Sequence, residues 1–346
     1  MSKRITYLFG AGASYHACPI WKEQGGKMID LAKYVLPDAT FSEAEENNYI
    51  NDKDKIFWNM GYHGKKAIEF NTIDTFAKKL YLNDSWHKLT DLKTSVSMFF
   101  TIWQLTGDKN LKNFDKATER FKTIDQRYIS LLATCLEKDS DKHIPKLNQN
   151  IRFVTWNYDL QIEGAYELFC DNIKWGDIDQ RLSYVPDEKD HNKNLCVCHL
   201  NGFHGFYDTE TNYFNYMFKT EHLSLDEIIK EIDFIFKNLN HDLISFARYI
   251  NYAWEKDSPL SNIAREQASK IFSETDILVI IGYSFPSFNR EIDKDLFDGS
   301  KNHIQKIIYQ DPNGSAEYLS EAFDIDKKKI ETVTNNNEQF ILPSLF

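Results

Sequence analysis

The chain has 346 residues, 42% of them hydrophobic, enough to bury a sizeable core in one large domain or two smaller ones. Its 52 acidic residues outnumber 41 basic ones, and a formal charge of −11 argues against a general nucleic-acid binder, which needs a basic face toward phosphate. No stretch approaches the ~20 apolar residues of a membrane span. Five scattered cysteines (18, 135, 170, 196 and 198) fit a reducing cytoplasm better than a disulfide framework. Lys3-Arg4 precede an apolar run far shorter than the roughly 7–15 residues of a secretory signal, so the expected location is cytoplasmic.

Ile5–Phe9 are strand-forming residues that end abruptly in Gly10-Ala11-Gly12-Ala13-Ser14. A parallel α/β sheet begins this way when its first turn is to hold a phosphate. Gly10 and Gly12 let the backbone approach a ligand closely and offer N–H groups to an anion, while Ser14 adds a hydroxyl or caps the next helix. Tyr15 stands where a third glycine would complete G-x-G-x-x-G, which argues against an ordinary NAD dehydrogenase and keeps a plain strand–helix turn open.

Residues 14–35 read as helix–turn–helix, interrupted near Cys18-Pro19 and Gly25-Gly26. From Asp38 to Asn150 the pattern is mostly helical. Apolar residues recur at 3–4 spacing in 70–80, 95–105 and 128–136, as expected for core helices of an inserted lobe, and 139–150 reads as a linker back to the sheet. Further strands are predicted at 151–155, 195–200, 276–281 and 304–309, with helices at 162–169 and 261–272. Residues 203–255 read as a hairpin followed by helices. Each predicted strand ends in a polar or glycine cluster, and in a parallel sheet those ends lie along one edge, where ligands bind.

Asn157 and Asp159 directly follow the 151–155 strand. An amide there positions a hydroxyl or a water and a carboxylate orients the loop, unless the pair merely opens an Asx turn. His199 closes an otherwise apolar strand, where a satisfied core histidine is the plainer reading. Zinc held by Cys196, Cys198 and His199 is disfavoured, because along a strand 196 and 198 share one face and 199 points to the other. Ser284 in Gly282-Tyr-Ser-Phe-Pro286 invites comparison with the G-x-S-x-G elbow, with Asp298 and His303 in the right order, although the last glycine is missing. A strand-end loop touching ligand by its backbone is preferred. Asp311 suits a ribose diol or opens the Asp-Pro-Asn-Gly turn.

Gly10-Ala-Gly-Ala-Ser14 with Pro19 and Trp21, Thr155-Trp-Asn-Tyr-Asp159, His199-Leu-Asn-Gly202 and Ile281-Gly-Tyr-Ser-Phe285 resemble, in order, the motifs of the SIR2-like family. The likeness is to its bacterial anti-phage NAD-degrading effectors rather than to the protein deacylases. The family's H-G is spread here over His199–Gly202, and the paired C-x-x-C zinc hooks of the deacylases are absent, which counts against a peptide deacylase. The resemblance implies one SIR2-like domain over 1–346. Its Rossmann-like parallel α/β core would occupy about 1–35, 150–202 and 260–346, with a large helical insertion at 36–149 and a second insertion at 203–259.

It further implies an NAD+ glycohydrolase, with Asn157 and His199 as the catalytic pair and Asp159 fixing their loop. NAD+ would be the substrate and no metal is expected. Gly10, Gly12 and Ser14 would hold the diphosphate, Gly282, Ser284 and Asp311 would lie near the adenosine half, and Ala11, Trp21 and Thr155 would also belong to the NAD+-binding set. Because unregulated NAD loss would kill the host, homo-oligomerisation or a partner defence protein is expected to gate the activity. The alternatives are a non-catalytic NAD or ADP-ribose sensing module, and an NAD-dependent deacylase or ADP-ribosyltransferase.

Overall fold

The computed structural model describes residues 3–49, 52–106, 124–139, 142–170, 196–205, 224–238, 247, 249–256, 258–335 and 338–342. In chain order the elements are β1 (Ile5–Phe9), a 3-10 turn (Ala11–Ser14), α1 (Trp21–Val35), α2 (Asp52–Glu69), α3 (Ile73–Leu82), α4 (Trp86–Thr106) and α5 (Gln126–Cys135). There follow β2 (Leu136–Asp139), β3 (Lys142–Leu147), β4 (Ile151–Thr155), α6 (Gln161–Glu167), β5 (Val197–His199), α7 (Leu225–Asn238) and α8 (Pro259–Ser273). The chain closes with β6 (Ile277–Ile281), α9 (Arg290–Asp298), β7 (Lys306–Gln310), α10 (Ala316–Phe323) and β8 (Ile330–Val333).

The contacts divide the chain into two units. The first holds the described residues up to Ser14, those between Asp125 and Gly202, and those from Ala253 on; the second holds Tyr15–Ile124 and the described residues between Phe203 and Tyr252. Residues 15–35, expected with the sheet, therefore fall in the second unit, and 125–149, expected with the helical lobe, fall in the first.

The first unit is built on a six-stranded parallel sheet in the order β5-β4-β1-β6-β7-β8. With the separate β2–β3 hairpin set aside, the strands run 3-2-1-4-5-6 by chain order, the Rossmann-like arrangement, and the order reverses between β1 and β6. Both of those strands are buried along their whole length, which is why Ile5–Phe9 and Ile277–Ile281 read as continuous apolar runs. Side chains alternate between two covered faces. Leu8, Val154, Cys198, Leu278, Ile280 and Ile307 share a core with α8, α9 and α10. On the other face Tyr7, Phe9 and Phe153 form a ring cluster that takes in Tyr128 of α5 and Phe340.

Two strand features depart from the sequence reading. Residues 139–150 are not a plain linker, since β2 and β3 pair there as an antiparallel hairpin. Their register puts Leu136 opposite Leu147, but the lysines between carry no readable alternation. β8 is a sixth strand that the sequence did not announce. It lies at the sheet edge, half-buried, and its stretch Ile-Glu-Thr-Val is too short and polar to stand out. The strand expected at 195–200 is described from Val197 to His199, and most of the hairpin expected after 203 lies outside the described residues.

The second unit is helical: α1–α4 and α7. Helix α1 runs without a break through Gly25-Gly26, contrary to the helix–turn–helix reading. Gly25 serves close packing instead. A Cβ there would sit 2.8 Å from the Gly64 carbonyl oxygen, and one on Gly64 would sit 2.6 Å from that of Gly25, so α1 and α2 meet backbone to backbone. Gly64→Ala is accordingly expected to cost about 1–3 kcal/mol in a denaturant melt, as overpacking does. No helix among the described residues is long and apolar enough to cross a membrane.

Candidate functional site

Parallel strands put their carboxyl ends on one edge, so the loops after β1, β4, β5, β6 and β7 lie along the same rim of the first unit. Asn157, Asp159, His199, Gly282, Ser284 and Asp311 follow or end these strands, beside Gly10–Ser14.

The glycine loop is locked to the β6 loop. Gly10 N–H donates to Ile281 O at 3.0 Å and Gly12 N–H to Gly282 O at 2.9 Å. A Cβ on Gly10 would lie 2.5 Å from the Gly282 oxygen, and one on Gly282, whose φ is +60°, would lie 2.3 Å from the Ala13 nitrogen. These glycines are therefore required by backbone packing, and the Gly10 and Gly12 N–H groups do not point at an anion as the sequence reading expected. Behind the loop, the buried Arg127 donates to Ala13 O at 2.8 Å and pairs with Asp125 at 2.6 Å. Its charge is neutralised within the protein, and its position steadies the loop.

Ser14 is buried and joins three side chains instead of capping a helix. Asn157 Nδ2 donates to Ser14 Oγ at 3.2 Å and to Gly10 O at 3.0 Å. The Ser14 hydroxyl also bonds the Asp159 carboxyl and lies 3.0 Å from the Tyr128 hydroxyl. An amide NH2 only donates and an ionised carboxylate only accepts, so the single Ser14 proton goes to Asp159 and Tyr128 donates to Ser14. Thr155 Oγ1 accepts from Asn157 N at 3.0 Å and sets the turn that aims Asn157 inward. Burial raises the Asp159 pKa to about 6, against the Ser14 and Gln161 hydrogen bonds and the His199 charge, which lower it.

His199 is buried against α6. Its Nε2 lies 2.8 Å from Glu163 Oε1 and its Nδ1 3.3 Å from the Asn157 carbonyl oxygen. Burial pushes the imidazole pKa down, but the Glu163 charge and hydrogen bond, the Asn157 carbonyl and the Asp159 charge outweigh it, and the net direction is up. With acceptors on both sides, each ring nitrogen donates, as an imidazolium does. The alternation expected along the strand is present: Cys198 Sγ donates to Ala264 O on the α8 side, while His199 meets α6 on the other, so the two do not converge on a metal.

The remaining expected residues divide. Asp311 accepts from Asn313 N at 2.8 Å, which is the turn-opening geometry. Ser284 is exposed after β6, whereas Asp298 and His303 precede β7. In parallel strands these are opposite edges of the sheet, so no Ser-His-Asp constellation forms. Trp21 opens α1 in the second unit, half-exposed, with Lys22 over its ring.

Sequence reasoning missed Glu163, Tyr128 and Arg127. Glu163 left one trace. Asp159 in the loop before α6 and Glu163 and Glu167 on that helix recur at four-residue spacing, and all three are buried, an unusual place for carboxylates.

A second buried acid supports the β6 loop. Asp293 accepts from the Tyr283 hydroxyl at 2.8 and 3.1 Å, and Asn289 donates to that hydroxyl at 3.0 Å. Burial raises the Asp293 pKa from 3.8 to about 8, with the Tyr283 hydrogen bond opposing. The folded state thus holds a proton that the unfolded chain has released, so this contribution is full below about pH 4 and is lost as pH rises to about 8. Stability is expected to fall by about 3 kcal/mol between pH 5 and 8 through this group. Chemical melts across that range should show a flatter profile for Asp293→Asn.

No protein-family model matches the chain, and no curated protein matches it.

Proposed function

We propose that the chain is an NAD+ glycohydrolase that cleaves the nicotinamide–ribose bond, and that it acts as an effector of bacterial anti-phage defence by depleting NAD+. The observation that carries this reading is the gathering of Ser14, Asn157, Asp159 and His199 into one hydrogen-bonded cluster at the carboxyl ends of β1, β4 and β5. These residues come from three of the four motifs that resemble the SIR2-like effectors.

The chemistry asks little beyond such a cluster. Nicotinamide leaves as a neutral group from a cationic ring, so its departure needs no general acid. Water adds to the ribose carbon, and its proton passes to a base; the products are nicotinamide, ADP-ribose and a proton. In this reading the Asn157 amide orients the ribose or the water. The His199 Nδ1 edge, held by the longer of its two contacts, loses its proton to solvent and then acts as the base. Asp159 fixes the loop through Ser14. Gating by a partner or by self-assembly belongs to the same proposal.

One observation favours a second reading, an NAD or ADP-ribose sensing module: both His199 nitrogens and the Asn157 amide are already engaged by protein groups. The test measures NAD+ and nicotinamide in cells expressing the chain with its genomic neighbours, with and without phage. Nicotinamide release that disappears in Asn157→Ala supports cleavage. Unchanged NAD+ under every condition, with the purified chain still binding the nucleotide, supports sensing instead.

A further inference from the structure

We infer that Glu163 is the positioning residue of this site: its Oε1 fixes the Nε2 edge of His199, so that Nδ1 is the nitrogen left beside Asn157. The inference rests on the glycohydrolase reading for its role in catalysis, and on geometry for the pairing itself.

Glu163 lies in the first turn of α6, one helical turn beyond Asp159, and its side chain has no solvent exposure. It reaches His199 at 2.8 Å, while its second oxygen, Oε2, is buried and has no hydrogen-bond partner among the described residues. A carboxylate in such a place is costly unless an opposite charge faces it. Among the described residues, the titratable groups that act on His199 are Glu163 from α6 and Asp159 from the loop after β4, and both are acidic. The imidazole is therefore held at Nε2 by the Glu163 carboxylate at 2.8 Å and meets the Asn157 carbonyl oxygen through Nδ1 at 3.3 Å. This is the arrangement in which a buried acid selects the working edge of a histidine and stabilises the charge it acquires.

Glu163→Gln separates charge from position, because the amide oxygen still accepts from Nε2–H. Two readouts are needed. The first, independent of turnover, is the titration of His199 followed by its ring proton resonances in the full chain. A wild-type midpoint above the ordinary 6.5, falling by about one unit or more in Glu163→Gln, is expected. The second is the pH profile of NAD+ cleavage. Its acidic limb should move to lower pH in the variant, with kcat reduced about 10-fold or more and KM changed less than about twofold.

A wild-type midpoint at or below 6.5, or one unmoved by the substitution, overturns the inference. If Glu163→Gln does not fold, the wild-type midpoint alone decides. If the titration shifts but neither chain cleaves NAD+ even in cells that carry its genomic neighbours and are challenged with phage, the pairing stands and the glycohydrolase reading falls.

Discussion

Asn157→Ala is expected to lower NAD+ cleavage by about 10²–10³-fold, the usual loss when one preorganised donor at a reacting centre is removed. The loss should fall on kcat, since in the proposed reading the amide is assigned to the reacting ribose or water and not to the adenosine half. The fold should survive it. The Gly10 carbonyl loses one donor but keeps the Ala13 N–H at 2.9 Å, and the Ser14 hydroxyl loses one but keeps Tyr128, so neither is left unpaired and the cost should stay at about 1–3 kcal/mol in all. Rates, nucleotide binding by calorimetry and a thermal melt on the same samples separate these effects. Equal activity in the variant would remove the amide from the mechanism.

The matching change at His199 must be chosen with more care. His199→Ala would leave the buried Glu163 carboxylate without its counter-charge, a break that costs about 3–5 kcal/mol, so lost activity would report lost structure. His199→Gln keeps a donor for Glu163 and lacks a base. It is the informative substitution, with an expected loss of about 10²–10⁴-fold.

Gly10→Ala is expected to destabilise the first unit by about 3 kcal/mol or more, because the added methyl meets the backbone of the β6 loop and neither side can yield without breaking strand pairing. Gly26→Ala is the control. Nothing lies within 4 Å of a Cβ there, and in a helix interior alanine is better than glycine by about 0.5–1 kcal/mol. A melt distinguishes two roles for Gly10. If it served only to admit a diphosphate, Gly10→Ala would weaken nucleotide binding and leave the melting temperature unchanged.

The parallel sheet was legible because its central strands are buried on both faces. Ile5–Phe9 and Ile277–Ile281 have no polar residue but Thr6 and no alternation, so their composition betrays their position. The rim was legible for a related reason: strands that end in Gly10, Asn157, His199 and Gly282 must deliver those residues to one edge once they run parallel. The continuity of α1 was not legible. Gly25-Gly26 reads as a breaker until Gly64 is placed against it, since a glycine kept for close packing carries the same letter as one kept for a turn. β8 escaped because an edge strand exposes half of its residues and loses the apolar signature.

Local order along the chain thus accounted for five of the six strands of the parallel sheet and the residues at their ends, because each depends on neighbours within a few positions. Partnership came only with the folded chain. That Glu163 faces His199 across 36 positions, that Tyr128 reaches Ser14 across 114, and that Gly282 rather than an anion takes the Gly12 N–H are contacts between segments. Hydrogen bonding and burial between segments have no periodicity to read, because they depend on which faces the crossovers bring together.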